Sequence, residues 1–359
     1  MKKIFGLISI AAFLSGGLFV SCSNDSNDML PIIAALTTST KAYNELPAGT
    51  NGTAGTGWTY VTFGRWPQTI KAASVEVDES VTETHGMFTY CKGSDGEWYV
   101  KAKENAQNVL KYSDGTDVAF DSANSYKWFK VEPIKWRVLT SDYNGTGKKL
   151  LLAENILMPC AYFIGAPRII GSIEVYQNNY EHSKIRAYLN GLSYQIKEKR
   201  DSVQTTDDSF SGKGFLQTAF TDAQQAAIFT TSVDNSARST NPDSDAKLWN
   251  NGDNENACDN THDKVFLLSE QEVTKESYGF ALYNQAESGN SRIRDASDYA
   301  LAAGVYKNGA GGLWLLRSPR ADYQISILFV GTDGLADVVG WVNISQTYDF
   351  GVVPALCVD

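Results

Sequence analysis

The chain has 359 residues and a net charge of −10 at pH 7. Because the phosphates of nucleic acids and the headgroups of anionic membranes both attract basic proteins, this acidic balance argues against nucleic-acid binding and against electrostatic adsorption to a membrane. Eight Trp, eighteen Tyr and sixteen Phe residues supply enough apolar area for a large hydrophobic core.

The first residues have the composition of a targeting segment. Lys2 and Lys3 precede an apolar run over residues 4–20, and Ser21 and Cys22 follow directly. This pattern predicts a signal peptide over residues 1–21, and a cysteine after the cleavage point indicates a bacterial lipoprotein with lipidated Cys22. The alternative is ordinary secretion with a free cysteine. The run is short for a membrane span, so we expect an exported, lipid-anchored protein at the outer membrane that faces the cell surface.

Residues 22–57 are rich in Ser, Asn, Thr and Gly, which predicts a flexible tether that starts at the lipidated cysteine. Residues 58–359 then form the folded part. Four further cysteines, Cys91, Cys160, Cys258 and Cys357, are widely spaced. Export permits disulfides between them and four cysteines allow three pairings, while buried free thiols are an equally good interpretation.

Short strands separated by turns dominate the pattern after residue 57. Strands are predicted at residues 58–63, 88–91, 97–101, 126–131 and 134–139, with a break at Glu132–Pro133, and a buried central strand at 149–157. Helices are predicted at residues 181–190 before Gly191, at 222–229 with Thr221 as N-cap, and after Ser269, which forms a capping box with Glu272. The sequence therefore predicts an α+β fold with many short strands and two or three helices, in which residues 200–214 and 231–263 are loops.

Eight segments, taken together and in this order, resemble one family. They are residues 61–68 (VTFGRWPQ), 133–138 (PIKWRV), 151–154 (LLAE), 185–190 (IRAYLN), 215–220 (FLQTAF), 263–269 (DKVFLLS), 314–319 (WLLRSP) and 351–356 (GVVPAL). Residues 58–359 resemble the Treponema variable protein family, surface lipoproteins diversified by a retroelement. The resemblance implies a C-type-lectin-like fold of the formylglycine-generating-enzyme type.

The resemblance further implies a variable, ligand-binding segment at about residues 320–350. In such systems adenine-directed mutagenesis rewrites selected codons, and an Asn codon becomes one for Tyr, Asp, Ser, Ile, Phe, Gly, Arg or Ala. Gln324, Trp341 and Gln346 do not arise from an Asn codon in this way; they need another template codon or belong to the scaffold. The expected ligand-binding residues are Arg320, Asp322, Tyr323, Ile325, Phe329, Gly331, Asp337, Trp341, Ser345, Tyr348, Asp349 and Phe350.

The chemistry of the same segment favours binding independently of the resemblance. Its five aromatic residues stand among polar and turn-forming residues, and exposed aromatics and arginines dominate binding hot spots. The alternative is that about half of these aromatics fill the core of a small sheet, with Phe329 at the end of a buried strand.

Catalytic motifs are not apparent in the sequence. His85, His182 and His262 lack metal-ligand spacing, and Cys357 lies in an apolar run without the cysteine partner that cysteine oxidation would need. The polar loop at residues 250–263 is a candidate calcium site, although polar loops are more often only solvated. Arg317 and Glu154 are candidate partners in a buried ion pair that supports the fold.

The sequence thus favours a non-enzymatic surface lipoprotein that has no cofactor and binds an extracellular protein or glycan. Two alternatives stay open. One is a structural envelope lipoprotein, in which nothing between Arg320 and Phe350 needs to be exposed. The other is an enzyme of the formylglycine-generating class, against which the missing cysteine pair counts.

Overall fold

The structure is a computed structural model. It describes residues 41–46, 57–106, 108–120, 125–163, 168–170, 173–194, 208–236, 239, 256–281, 291–320, 323–337 and 350–359. The predicted signal peptide and Cys22 lie outside these residues. The chain divides into two units, Met1–Lys41 and Ala42–Asp359, and every element below belongs to the second.

Strands outnumber helices in the described part of the chain. The strands are β1 Asn44–Glu45, β2 Thr59–Ile70, β3 Val77–His85, β4 Phe88–Gly93, β5 Trp98–Lys103, β6 Tyr126–Thr140, β7 Lys149–Ala153, β8 Met158–Pro159, β9 Arg168–Ile170, β10 Ile173–Val175, β11 Ser193–Tyr194, β12 Asp208–Ser209, β13 Thr231–Val233, β14 Thr261–Asp263, β15 Val265–Phe266, β16 Lys307–Asn308, β17 Gly311–Gly312, β18 Trp314–Pro319, β19 Ile327–Val330, β20 Ala336–Asp337, β21 Gly351–Val352 and β22 Ala355–Val358. The α-helices are α1 Lys184–Asn190, α2 Phe215–Ala219, α3 Asp222–Ala227, α4 Glu270–Val273 and α5 Asp298–Ala303, and 3-10 turns lie at Tyr143–Gly145 and Glu276–Tyr278. The architecture is α+β, as predicted.

Two sheets organise the fold. The larger has nine strands in the order β15–β22–β7–β6–β5–β4–β3, with β2 paired to β6 and to β1. The smaller has five strands in the order β20–β19–β18–β21–β8, and its β18–β21 pair is parallel. The C-terminal residues contribute to both, since β21 and β22 follow each other along the chain.

Local sequence signals place several elements where they were predicted. The β4–β5 hairpin turns at Gly96, whose φ of 82° suits glycine. Helix α1 ends at Gly191 in the left-handed conformation, and Thr221 and Ser269 both form capping boxes. The predicted central strand is β7, which lies between β6 and β22 and is fully buried at Leu150–Leu152.

Several parts of the fold differ from the sequence-based expectation. Strand β6 is continuous through Pro133, because Pro133 lies opposite Arg65 at a register irregularity, where a residue without an N–H is tolerated. The predicted loop at residues 200–214 contains β12, which pairs with β11, and the predicted loop at residues 231–263 contains the paired strands β13 and β14. Helices α2 and α5 were not predicted, since each is only one to two turns long.

Tryptophans from three of the quoted segments form the centre of the core. Trp66, Trp136 and Trp314 are fully buried. Each indole N–H donates to a backbone carbonyl of another segment, those of Leu157, Phe63 and Arg292, at 3.1, 2.7 and 3.1 Å. Since a buried indole N–H needs an acceptor, these tryptophans fill the core and also fix how the segments pack against one another.

The second unit of the chain begins at Ala42, within the range predicted as the tether. Tyr43 is 5% exposed, and its hydroxyl donates to the backbone carbonyl of Asp359 at 2.8 Å. Strand β1 pairs with β2 directly after it. Composition did not indicate this, because a single aromatic anchor and a two-residue strand are too short to change the character of a polar segment.

Replacing Tyr43 tests this boundary. We expect Tyr43→Ala to lower the free energy of unfolding by about 3 kcal/mol, as truncation of buried aromatics does, measured by urea denaturation. Tyr43→Phe, which loses only the hydroxyl, should cost about 1 kcal/mol. An unchanged midpoint in Tyr43→Ala would show that residues 42–46 are part of the tether.

Candidate ligand-binding surface

The predicted binding segment begins where β18 leaves the smaller sheet. Strands β18 and β19 are buried along their whole length, and their register shifts between Leu315 and Pro319. The connection between them is residues 320–326, here called the 320–326 loop, of which 320 and 323–326 are described. Two buried strands therefore carry a loop whose ends are fixed by the sheet.

Asn178, which is fully buried, anchors the loop to the protein interior. Its side-chain amide nitrogen lies 3.2 Å from each of three backbone carbonyls, those of Arg320, Tyr323 and Ser326. Its backbone N–H donates to the carbonyl of Gln324 at 3.2 Å. A second amide, that of Asn256, donates to the carbonyl of Arg320 at 2.8 Å.

The loop also closes on itself through its backbone. The N–H of Arg320 donates to the carbonyl of Ser326 at 3.0 Å, and the N–H of Ser326 donates to that of Tyr323 at 3.1 Å. All these contacts use main-chain atoms of the loop, which every residue possesses. These bonds therefore do not depend on which side chains stand at positions 323–325.

Those side chains point outward to different degrees. Tyr323 is 39% exposed, Gln324 is exposed, and Ile325 is half-buried. Arg320 is also half-buried. Of the expected ligand-binding residues, Tyr323 and Ile325 thus lie on the accessible part of the loop, and Gln324 between them adds a third position.

Phe329 was wrongly expected at the binding surface. It lies in β19, is 7% exposed, and contacts the ring of half-buried Phe350 with the ring centroids 5.2 Å apart. Its position opposite Leu315 in the β18–β19 ladder explains this burial. Gly331 forms the turn after β19, where the N–H of Gly334 donates to its carbonyl at 3.0 Å, and its contact with a ligand stays a prediction.

The remaining expected residues are not tested. Asp337 lies in β20, but its side chain is outside the described part of the structure. The others lie entirely outside the described residues: Asp322, Trp341, Ser345, Tyr348 and Asp349.

A buried ion pair fixes the strand that leads into the loop. Arg317 Nη1 lies 2.5 Å from Glu272 Oε2, and Glu272 Oε1 accepts a hydrogen bond from the Tyr143 hydroxyl at 2.5 Å. Burial raises the pKa of Glu272, but the Arg317 guanidinium offsets this and keeps the pKa below its usual value. The Arg317 guanidinium also donates hydrogen bonds to the backbone carbonyls of Leu267 and Asp234.

Arg317 and Glu154 each form an ion pair, but not with each other. Glu154 binds Arg137 with two contacts of 3.0 and 3.1 Å, and the Arg137 guanidinium lies 3.6 Å from the ring centroid of Trp58. These two pairs connect β6 with the residue after β7, and α4 with β18. Both support the fold, as the sequence analysis favoured.

Glu270 is a buried acid next to the loop. It is 2% exposed, its backbone N–H donates to the Ser318 hydroxyl at 2.9 Å, and Oε1 has no hydrogen-bond partner among the described residues. Burial raises its pKa to about 8. At neutral pH this carboxyl is therefore mostly protonated.

The described residues contain no group of three or more His, Cys, Asp or Glu side chains that could hold a metal ion. In the loop suggested as a calcium site, residues 250–255 lie outside the described part, and Asp263 is paired with Arg186 Nε at 2.9 and 3.1 Å. No helix within the described ranges is long and apolar enough to cross a membrane.

Sequence reasoning did not find Asn178. It stands in a short polar stretch before α1, where asparagines are ordinary turn residues. Its partners are about 140 residues further along the chain. Local pattern therefore contains no signal for its role.

A protein-family model described as a domain of unknown function, DUF6273, matches residues 146–359. The match covers more than half of the chain and includes Asn178, α4 and the whole of the smaller sheet. It begins after β6, although β6 pairs with β7 and completes the larger sheet. Searches of curated proteins and of solved structures return no match.

Asn178→Ala tests the support of the loop. Three backbone carbonyls would lose a buried donor, so we expect a loss of at least about 2 kcal/mol in unfolding free energy and faster tryptic cleavage after Arg320. Asn179→Ala is the matched control, since Asn179 accepts a single bond from His182 N–H at 3.0 Å. Equal effects of the two variants would contradict the assignment.

Glu270→Gln tests the buried acid. The folded pKa of about 8 lies above the ordinary value of 4.5, so the wild type retains full stability below about pH 4.5 and loses it as the pH rises through 8. The stability of the Gln variant relative to wild type should therefore increase over this range, by a few kcal/mol at most, at about 1.4 kcal/mol per pKa unit. Glu276→Gln, at an exposed position, is the control. Its difference in unfolding free energy from wild type, measured by urea denaturation, should be the same at pH 5 and pH 8.5, roughly the ends of this range.

Proposed function

The chain belongs to the DUF6273 family, and we propose that it is a lipid-anchored, non-enzymatic protein of the cell surface that binds an extracellular protein or glycan. In this proposal, residues of the C-terminal segment make the contacts, and the rest of the folded unit is a C-type-lectin-like scaffold of the formylglycine-generating-enzyme type. The segment is diversified by a retroelement, as the resemblance to the Treponema variable protein family implies.

One observation carries this proposal: Asn178 and Asn256 hold the 320–326 loop through its main-chain carbonyls. These bonds do not involve the side chains at positions 323–325, so substitutions there leave them intact. A surface that changes its residues needs this separation, because most substitutions destabilise a fold when the side chain is part of the packing.

The accessible residue types suit binding. Tyr323 offers a rigid aromatic ring with a polar end, which gives large contact area at low entropic cost. Tyr323 and Ile325 are also among the residue types that adenine-directed mutagenesis produces from an Asn codon. The neighbouring strands β18 and β19 are buried and supply the fixed frame.

The cysteine environments favour binding without catalysis. All four described cysteines are free. Burial raises the pKa of Cys357 to about 12 and that of Cys258 to about 11, and it also raises that of Cys91. Since the thiolate is the reactive form, these thiols are poorly suited to the cysteine oxidation that the formylglycine-generating class performs.

The lipid anchor in this proposal depends on the sequence of residues 1–22, where an apolar run ends at Cys22. The ligand is placed outside the cell for that reason. A net charge of −10 fits a partner other than nucleic acid.

A randomised library at Tyr323, Gln324 and Ile325 tests the proposal. We expect most members to remain folded, with single substitutions changing the unfolding free energy by less than about 0.5 kcal/mol. Selection of the library on one folded protein, such as hen egg lysozyme, should yield binders. The matched library at buried Ile327, Leu328 and Phe329 should be mostly unfolded, since truncation there costs about 2–5 kcal/mol per site.

Two results would contradict the proposal. One is equal loss of folded members in both libraries, which would make the loop part of the packing. The other concerns diversification: sequencing the locus in independent isolates should reveal a near-copy of the 320–350 coding region with differences confined to adenines. An invariant segment without such a copy would remove the retroelement and leave a lectin-like lipoprotein of structural role as the better explanation.

A further inference from the structure

A cleft of about 510 Å³ lies apart from the 320–326 loop. It is formed by the 3-10 turn after β6, by the segment from Phe229 through β13, and by Asn260. This volume is in the range of small-molecule sites, roughly 300–1,000 Å³. We propose that the cleft binds a neutral carbohydrate, with one face of a sugar ring on Phe229 and its hydroxyls on the surrounding amides and carboxylate.

The aromatic wall is Phe229. Its side chain is 39% exposed although its backbone is fixed: the Phe229 N–H donates to the carbonyl of Cys357 at 2.8 Å, which ties it to β22. Exposing an aromatic ring in this way costs apolar burial. The C–H face of a sugar ring is a ligand surface that would recover it.

The polar groups of the cleft are held in place by other bonds. Asn260 Oδ1 accepts the N–H of Asn235 at 3.0 Å, which leaves its amide hydrogens as donors to a ligand. Asp234 Oδ1 accepts a hydrogen bond from the Ser236 N–H at 2.9 Å, and within the described residues the second carboxylate oxygen accepts no hydrogen bond. Groups that are already oriented lose little entropy on binding.

Asn144 adds an amide in an unusual conformation. Its φ of 52° makes it the only non-glycine residue with positive φ in the described part of the chain. Asn tolerates this region better than most residues. The conformation places the exposed Asn144 at the rim, and the adjacent Tyr143 forms the floor, with its hydroxyl bound to Glu272.

The charges of the cleft favour a neutral ligand over an anion or a cation. Asp234 is the one carboxylate among its lining residues and would repel a phosphate. At the rim, Lys148 lies 5.4 Å from the Phe229 ring centroid but is paired with the Asp359 carboxylate. The other polar lining groups are hydroxyls and amides, which donate and accept hydrogen bonds as sugar hydroxyls do.

The same buried pair that anchors the 320–326 loop also fixes this cleft. Arg317 donates from Nε and Nη2 to the Asp234 carbonyl at 3.3 and 3.1 Å, and Glu272 holds Tyr143. The cleft is therefore built into the scaffold. This site does not depend on the proposed function of the loop.

Saturation-transfer NMR on the full chain in detergent tests the site. The probes are methyl glycosides of glucose, mannose, galactose and N-acetylglucosamine. We expect at least one to bind with a dissociation constant of about 1–10 mM, and Phe229→Ala to weaken it at least about tenfold. Phe229→Tyr should retain binding. Asn144→Gly, which keeps the positive φ, should weaken binding several-fold without affecting the fold.

Two controls separate this site from others. Phe120→Ala removes another exposed phenylalanine elsewhere, which is 61% exposed against 39% for Phe229, and should leave glycoside binding unchanged. Tyr323→Ala should also leave it unchanged, because it alters only the 320–326 loop. Binding that is lost in Tyr323→Ala but kept in Phe229→Ala, or no binding by any probe up to about 50 mM, would overturn the inference.

Discussion

The Arg317–Glu272 ion pair is the interaction on which most of this structure depends. Both side chains are buried, and each satisfies its remaining hydrogen-bonding groups with neighbours from separate segments. Removing one partner of such a pair leaves an uncompensated buried charge, which costs about 3–5 kcal/mol. The pair connects β18, α4, the turn at Tyr143 and the segment before Asn235, so its geometry fixes the strand that starts the 320–326 loop and two walls of the cleft.

Asn178 shows how a fold can hold a loop without restricting its side chains. A buried amide that donates to several carbonyls specifies the path of the backbone. Packing by side chains would instead restrict each position to one residue size. The contrast with Phe329 is direct: one residue after buried Leu328, it is held by its own ring against Phe350, and its identity matters to the fold.

The two proposed binding surfaces differ in the same respect. The amide bonds that hold the 320–326 loop do not involve the side chains at positions 323–325, whereas the cleft uses groups already engaged in structural hydrogen bonds, such as Asn260 and Asp234. A protein with both would combine one adaptable contact with one constant contact. Since both depend on Arg317, the two surfaces share a single rigid frame rather than independent supports.

Sequence alone determined the features whose causes are local. The α+β class, the β4–β5 hairpin, the end of α1 at Gly191 and the capping boxes at Thr221 and Ser269 follow from residues within a few positions of one another. Part of the candidate site, Tyr323 and Ile325, was also predicted. The tertiary structure decided the rest: the anchoring of Tyr43, the burial of Phe329 and the role of Asn178. Each depends on partners more than a hundred residues away or on strand register, and only the folded chain brings these groups together.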